Sequence, residues 1–230
     1  MLPNIIALLL TILSLGTQSL DAYAYEAMPG GNLFLINRTY KVDRLYVPDD
    51  LVVVDVEKTN PEITMRKEAA TQLKAMFETA KTEKGYILVA VSGFRSYGTQ
   101  SAIYKRKVEV TGSKQKANLY VAPPGCSEHQ LGLAMDLGRK DTMGLNESFG
   151  ESPEGQWVAQ NAHRFGFIIR YQKEWTEITG YAYEPWHVRY VGVEHASRIY
   201  MMNIPLEHYI DLIFEAQRQN LLQQSMVVNQ

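Results

Sequence analysis

Two short stretches of the chain carry residue types that could hold a metal ion and use it in catalysis. The first places His129 seven residues ahead of Asp136, with glycine and small side chains between them. The second is Glu-Pro-Trp-His at residues 184–187. Two histidines and an aspartate can supply the three protein ligands of a catalytic zinc site, whose fourth position is left for water. Glu184 lies close enough in sequence to His187 to act as a base on that water.

The remaining candidate ligands lack such a context. His163, His195 and His208 fall in predicted helices without a carboxylate pattern around them, so we expect surface or capping roles for them. Cys126 is the single cysteine, which excludes an internal disulfide. Because a complete three-ligand set exists without it, we interpret Cys126 as a small packed side chain.

The residues around the two stretches predict helices alternating with short strands. Apolar side chains at helical spacing predict a helix over residues 65–84, and a compact apolar run predicts a strand over residues 86–92. Further helices are expected at residues 97–110 and 153–165, followed by two helices broken at Pro205. Strand character is expected at residues 131–137, 167–170 and 186–190. Two apolar runs, at residues 33–37 and 51–56, could pair with each other or wrap the domain.

Composition is that of an ordinary globular protein. Of the 230 residues, 46% are apolar and 21% are charged, and the formal net charge is −2 with no long basic run. Nothing in this balance favours nucleic acid or an anionic membrane surface as a partner. Repeats and clear linkers are lacking, so we predict a single domain over residues 33–230 after a flexible leader at residues 25–32.

The first 24 residues differ from the rest and predict export. Residues 5–15 are mostly Ile, Leu and Ala, and Ala-Tyr-Ala at residues 22–24 fits a signal-peptide cleavage site. A secreted or membrane-anchored, extracytoplasmic protein is therefore expected. The first basic residue is Arg38, so the usual positive n-region is missing. An uncleaved membrane anchor and a buried N-terminal helix remain alternatives.

Three motifs occur in order along the chain. They are Ser-Gly-Phe-Arg-Ser at residues 92–96, Ser-Glu-His-Gln-Leu-Gly-Leu-Ala-Met-Asp at residues 127–136 and Glu-Pro-Trp-His-Val-Arg-Tyr at residues 184–190. Together they closely resemble the D-alanyl-D-alanine carboxypeptidases of the VanY type, whose superfamily includes lysostaphin-type peptidases and the hedgehog signalling domain. The similarity spans roughly residues 33–192. It implies an α+β hedgehog/D-Ala-D-Ala peptidase fold, with helices packed on a small antiparallel sheet in a single domain.

The resemblance also implies roles for individual residues. His129, Asp136 and His187 would hold one Zn²⁺ per chain. Glu184 would act first as general base and then as general acid. Arg95 would stabilise the developing oxyanion or hold the substrate, as suits a permanently charged guanidinium.

Two polar residues near these motifs are further candidates for binding the substrate. Ser127 could bind the terminal carboxylate of the substrate, or it could satisfy the backbone of its loop. Gln100 follows Arg95 in the next predicted helix and could face the cleft or lie exposed on the surface.

The activity that the resemblance implies is zinc-dependent D,D-carboxypeptidase activity, which removes the C-terminal D-alanine from peptidoglycan stem peptides. An L,D-carboxypeptidase acting on tetrapeptide stems would use the same site, whereas a dipeptidase or endopeptidase is less favoured. Two rivals are a non-catalytic, zinc-stabilised binding module and a cytoplasmic dipeptidase of the glycopeptide-resistance type. Glu184 argues against the module, because a structural zinc site needs neither an open position nor an adjacent base.

Overall fold

The computed structural model describes Tyr23 and residues 25–140 and 144–228, which belong to two compact units. The larger unit comprises residues 36–203, and the other combines the chain up to Leu35 with the chain from Ile204 onward. The predicted export segment, apart from Tyr23, lies outside the described residues. Within the described part of the chain, every helix is too short or too polar to span a bilayer.

A four-stranded antiparallel sheet in the larger unit carries the residues of interest. Its strands lie in the order β3-β4-β6-β5, and β1 and β2 form a separate antiparallel pair. The strands are β1 (Leu51–Val53), β2 (Thr64–Arg66), β3 (Leu88–Ser92), β4 (Ala134–Arg139), β5 (Phe167–Tyr171) and β6 (Glu184–Tyr190). Strand character was predicted at each of these places except β2. An antiparallel sheet with helices, as predicted, is therefore confirmed.

The register of this sheet brings distant parts of the sequence side by side. Asp136 on β4 pairs with Ser92 on β3 and with His187 on β6. Glu184, at the start of β6, pairs with Tyr171 at the end of β5. Side chains directly opposite each other in neighbouring strands lie on the same face of a sheet. The pairing therefore aligns the second and third sequence motifs across the centre of the sheet.

The predicted helices are present, with small changes at their ends, together with three short helices that were not predicted, α3, α4 and α6. The helices are α1 (Lys67–Lys84), α2 (Tyr97–Thr111), α3 (Lys114–Asn118), α4 (Ser148–Glu151), α5 (Pro153–Asn161), α6 (Thr176–Thr179), α7 (Val193–Met202) and α8 (Leu206–Val228). Helix α1 buries the predicted apolar stripe, which includes Leu73, Met76 and Phe77, and ends at Gly85 in the left-handed conformation. The chain leaves the α-helix after Asn161, and a 3-10 turn (Ala162–Phe165) completes the segment predicted as helix up to residue 165.

Of the two alternatives for the apolar runs at residues 33–37 and 51–56, their pairing with each other is excluded. The apolar run at residues 33–37 is not a strand, and β1 pairs instead with β2, residue Leu51 opposite Arg66. The run is interrupted because the Asn37 side chain accepts hydrogen bonds from the backbone N–H groups of Thr39 and Tyr40, which turns the chain. Residues 25–34, interpreted above as a leader and the start of that run, form successive hydrogen-bonded turns.

Candidate active site

The three predicted metal ligands lie together on the sheet. One ligand atom from each of His129, Asp136 and His187 lies within 4.8 Å of the others, and all three side chains are buried. Asp136 and His187 face each other from paired strands, whereas His129 comes from the 3-10 turn Glu128–Leu131 just before β4. Gly132 ends that turn with φ of 67°, a conformation that allows the chain to reverse into β4 within two residues.

Each histidine is oriented by a hydrogen bond at the ring nitrogen that does not face Asp136. His129 Nδ1 donates to the backbone oxygen of Gly93 at 2.7 Å, so its Nε2 carries the lone pair. That Nε2 lies 3.3 Å from Asp136 Oδ2. His187 Nε2 lies 3.0 Å from Glu128 Oε2, and its Nδ1 lies 3.0 Å from Asp136 Oδ1. Nε2 of His129 and Nδ1 of His187 therefore both point towards Asp136.

This donor set fits Zn²⁺. Tetrahedral zinc with bonds of about 2.0–2.2 Å to nitrogen and oxygen places its ligand atoms about 3.3 Å apart. The distances from Asp136 to the two imidazoles, 3.0 and 3.3 Å, are already close to that spacing. Among the described residues, the group offers three protein ligands, which is the number that catalytic zinc sites use while leaving a position for water.

Glu184 lies in the same cleft and is buried. It lies in a cavity of about 400 Å³ that also contains His129, Asp136 and His187. Burial, opposed by the charge of His187 and reinforced by the Asp136 carboxylate, raises the pKa of Glu184 to about 8. A carboxyl group whose pKa lies near neutrality can both accept and return a proton at neutral pH.

Burial and nearby charges also set the protonation of the ligands. Burial, reinforced by the Arg95 charge, lowers the pKa of His129 to about 4, so its ring is neutral at neutral pH. Burial opposes the charged form of His187, but hydrogen bonds to Asp136 and Glu128 raise its pKa to about 9. Its Nδ1 must lose a proton to bind a metal, so metal binding releases a proton at neutral pH.

Arg95 contacts two of the ligands directly. Its Nη2 donates to Asp136 Oδ2 at 2.9 Å and to His129 Nε2. The rest of the guanidinium is held in place, because Nε donates to Ser92 Oγ at 3.0 Å and Nη1 donates to Gln100 Oε1 at 3.2 Å. The structure thus places Arg95 beside the ligands, in the lining of the same cavity.

The two weaker candidates also lie in this cleft. Gln100 is 1% exposed, so the surface alternative is wrong, and its Nε2 donates to the backbone oxygen of Ala122 at 2.7 Å. Its amide is therefore used to hold Arg95 and the chain at Ala122. Ser127 is buried at the start of the 3-10 turn, where its hydroxyl makes no capping hydrogen bond, and it lines the same cavity.

The chain matches the family model of the VanY D-alanyl-D-alanine carboxypeptidases over residues 62–193, which contain all seven predicted site residues. It belongs to this family. The Bacillus subtilis (strain 168) protein YodJ, a carboxypeptidase by name, is 47% identical over 190 residues, or 80% of this chain and 69% of YodJ. A D-alanyl-D-alanine carboxypeptidase of Enterococcus faecium is 35% identical over 198 residues, or 83% of this chain and 61% of the relative. The chain thus spans less than two thirds of that relative.

Solved structures of VanY-family proteins share the fold. The LD-carboxypeptidase LdcB is 47% identical with a TM-score of 0.75, covering 80% of this chain and 87% of LdcB. The D,D-pentapeptidase VanY in complex with Zn(II) is 34% identical with a TM-score of 0.65, covering 78% of this chain and 98% of VanY. The predicted hedgehog-like peptidase fold, the zinc cofactor and the class of enzyme, a zinc carboxypeptidase, are confirmed. The non-catalytic binding module is therefore wrong.

Several residues of this VanY-family cleft were missed from the sequence. Glu128 contacts His187 as described above, and Tyr171 stacks at a ring distance of 4.9 Å on the same histidine. Trp186, which alternation along β6 would assign to packing, lies in the cleft wall. The sequence could have indicated Glu128 as a residue of the site, because it lies next to His129 in the second motif. Of the surface or capping roles expected for His195, the surface role is wrong, because its side chain is buried.

Proposed function

We propose that this enzyme removes the C-terminal D-alanine from peptidoglycan stem peptides, acting as an L,D-carboxypeptidase on tetrapeptide stems. One observation supports this choice. The chain has a higher sequence identity and a higher TM-score with LdcB, an LD-carboxypeptidase, than with the D,D-pentapeptidase VanY. The catalytic groups suit either substrate, since both reactions hydrolyse a peptide bond next to a free carboxylate.

The proposed roles follow from the positions of the side chains. His129 Nε2, Asp136 and His187 Nδ1 would hold Zn²⁺, which supplies Lewis-acid chemistry and activates water for attack on the peptide carbonyl. Glu184 takes a proton from the attacking water and returns it to the departing amine nitrogen of D-alanine. A pKa raised to about 8 favours the second of these transfers, because the protonated carboxyl group is stable in the site.

Two further side chains would bind the substrate. Arg95 carries a permanent charge beside the ligands and would bind the developing oxyanion or the substrate carboxylate. Ser127 lies in the same cavity and would donate its hydroxyl hydrogen to that carboxylate. Gln100 was the other substrate-binding candidate from the sequence. It would act instead by holding Arg95 in place.

D,D-carboxypeptidase activity on pentapeptide stems is the second candidate function. It is the activity that the sequence motifs first implied, and it is supported by the family name and by the Enterococcus faecium relative. Either activity requires access to cell-wall peptide, so we infer an extracytoplasmic location and an N-terminal segment that directs export. Sequencing the N-terminus of protein recovered from the envelope or medium would test this location, and intact protein confined to the cytoplasm would contradict it.

Product analysis on defined stem peptides distinguishes the two activities. Purified protein would be incubated with tetrapeptide and pentapeptide stems, with and without a chelator, and products separated by HPLC and identified by mass. We expect release of D-alanine from the tetrapeptide, at a rate at least tenfold above that from the pentapeptide, and loss of both activities in chelator. Preferential cleavage of the pentapeptide would establish the D,D alternative instead. Glu177→Gln, at an exposed position on α6, is a matched control for preparation effects.

A further inference from the structure

A buried charged cluster lies directly behind one of the metal ligands. Its centre is Glu128, which is 1% exposed and lies one residue before His129. One carboxylate oxygen, Oε1, accepts hydrogen bonds from Arg170 Nε at 2.8 Å and from Arg189 Nη1 at 2.9 Å. The other oxygen, Oε2, lies 3.0 Å from His187 Nε2. The two oxygens thus serve different partners.

The contact at Oε2 determines which nitrogen of His187 faces the ligand group. An ionised carboxylate can only accept hydrogen bonds, so the nitrogen facing it must carry the proton. His187 Nε2 therefore donates to Glu128, and Nδ1 on the opposite side of the ring is directed at Asp136 Oδ1. Carboxylates in this position fix the tautomer and ring orientation of metal-binding histidines and strengthen them as ligands.

The two arginines make a buried carboxylate possible at this position. Arg170 is 1% exposed and Arg189 is fully buried, and they reach Glu128 from different strands, β5 and β6. An isolated carboxylate would be strongly disfavoured there, and charge-assisted hydrogen bonds from two guanidinium groups compensate for the lost hydration. Because Glu128 is held from both strands and from its own turn, its position relative to His187 is fixed.

We propose that Glu128 is a positioning residue of the zinc site, which holds His187 with Nδ1 towards the metal while Arg170 and Arg189 hold Glu128. The role is exerted through His187 and requires no contact with substrate. The proposal rests on the proposed metal ligands, and it is independent of whether the enzyme cleaves tetrapeptide or pentapeptide stems.

The test measures zinc affinity in the absence of substrate, by competition of the purified protein with a chromophoric chelator. We compare wild type, Glu128→Gln, Arg170→Met and the double variant that carries both changes. The double variant removes one buried negative and one buried positive charge, so the net charge of the buried cluster is the same as in wild type. We expect the double variant to bind zinc about 10- to 100-fold more weakly than Arg170→Met, which keeps the contact to His187.

Two results would overturn the proposal. The first is a double variant that binds zinc as tightly as Arg170→Met, with melting temperatures of the zinc-free proteins confirming that both are folded. The second comes from wild type alone and does not depend on any variant. In the zinc-loaded protein, nitrogen-15 NMR should show His187 protonated at Nε2 and metal-bound at Nδ1, and the reverse arrangement would exclude the proposed contact. Failure of stem-peptide hydrolysis with normal zinc affinities would instead count against the proposed function.

Discussion

Two buried glutamates of the site are driven to opposite protonation states by their surroundings. Burial raises the pKa of both carboxyl groups, and for Glu184 it outweighs the opposing charges of His187 and Arg95. For Glu128 the charges of Arg170 and Arg189 outweigh burial and hold its pKa well below the ordinary value. One glutamate can therefore move a proton at neutral pH, whereas the other remains an anion that orients a neighbour.

Replacing Glu184 with glutamine should separate catalysis from metal binding. Glu184→Gln removes the group that exchanges protons with water and the leaving amine but leaves the three ligands in place. We expect stem-peptide hydrolysis to fall about 10²- to 10⁴-fold with bound zinc unchanged, measured by HPLC and by metal analysis of the same samples. Asp136→Ala, in contrast, should lose the metal. Hydrolysis by Glu184→Gln at the wild-type rate would contradict the assigned mechanism.

The raised pKa of Glu184 should also appear in the pH dependence of stability. The pKa rises from its ordinary value of 4.5 to about 8 in the folded protein, so the folded state keeps a proton that the unfolded chain releases. The free energy of unfolding therefore falls as pH increases between these values, by up to about 1.4 kcal/mol per pH unit. Glu184→Gln lacks this contribution.

Denaturant unfolding in chelator, at several pH values from 5 to 8, measures this effect as a difference. Subtracting the two proteins cancels the contributions of the titrating groups that do not interact with Glu184. The free energy of unfolding of Glu184→Gln minus that of wild type should increase steadily with pH. A constant difference would show that the pKa of Glu184 is not raised in the folded protein.

At the scale of the elements, the site depends on a close approach between β2 and the chain just after β3. Gly93 follows β3, and its carbonyl oxygen orients His129. A Cβ atom at this position would lie 2.3 Å from the backbone oxygen of Thr64, far inside normal contact. The next residue is hydrogen-bonded to the same oxygen, because the Phe94 N–H donates to Thr64 O at 2.8 Å.

Gly93→Ala should therefore displace the carbonyl that fixes His129. We expect weaker zinc binding by about tenfold or more, as is typical when a partner that orients a metal ligand is disturbed, together with a lower melting temperature. Gly98→Ala is the matched control, since a Cβ atom at Gly98 meets nothing closer than 3.8 Å. If both variants bound zinc like wild type, the carbonyl of Gly93 would have no part in orienting His129.

The elements show which parts of the structure the sequence could predict. The spacing of apolar residues predicted α1, β3 and both C-terminal helices, because burial of one face imposes a period that is visible locally. The metal ligands were recognised from motifs that each occupy a few adjacent residues. The Glu128 cluster was not, because Arg170 and Arg189 meet Glu128 only through the β5-β6 pairing, and no local pattern encodes such a contact. The partner of β1 could not be assigned from the sequence for the same reason.

At the scale of the whole molecule, metal binding and folding should be linked. The ligands come from β4, β6 and the turn before β4, so they converge only in the folded chain. Zinc at about 1,000 times its dissociation constant should add about 4 kcal/mol to the free energy of unfolding. This corresponds to a rise in melting temperature on the order of 10 °C for a chain of this size.

Thermal unfolding monitored by circular dichroism, with added zinc or with chelator, measures this linkage. Wild type and Glu184→Gln should show the same zinc-dependent rise, because both retain the three ligands. Asp136→Ala should show little or none. A rise of equal size in Asp136→Ala would mean that zinc stabilises the fold from a different site.

The central claim is that His129, Asp136 and His187 converge on one zinc ion. Anomalous diffraction at the zinc absorption edge, from crystals of the zinc-loaded protein, tests it most directly. The account predicts one strong peak per chain, within about 2.0–2.2 Å of His129 Nε2, an Asp136 carboxylate oxygen and His187 Nδ1. A strong peak bound by other residues, with no peak at these three, would contradict it.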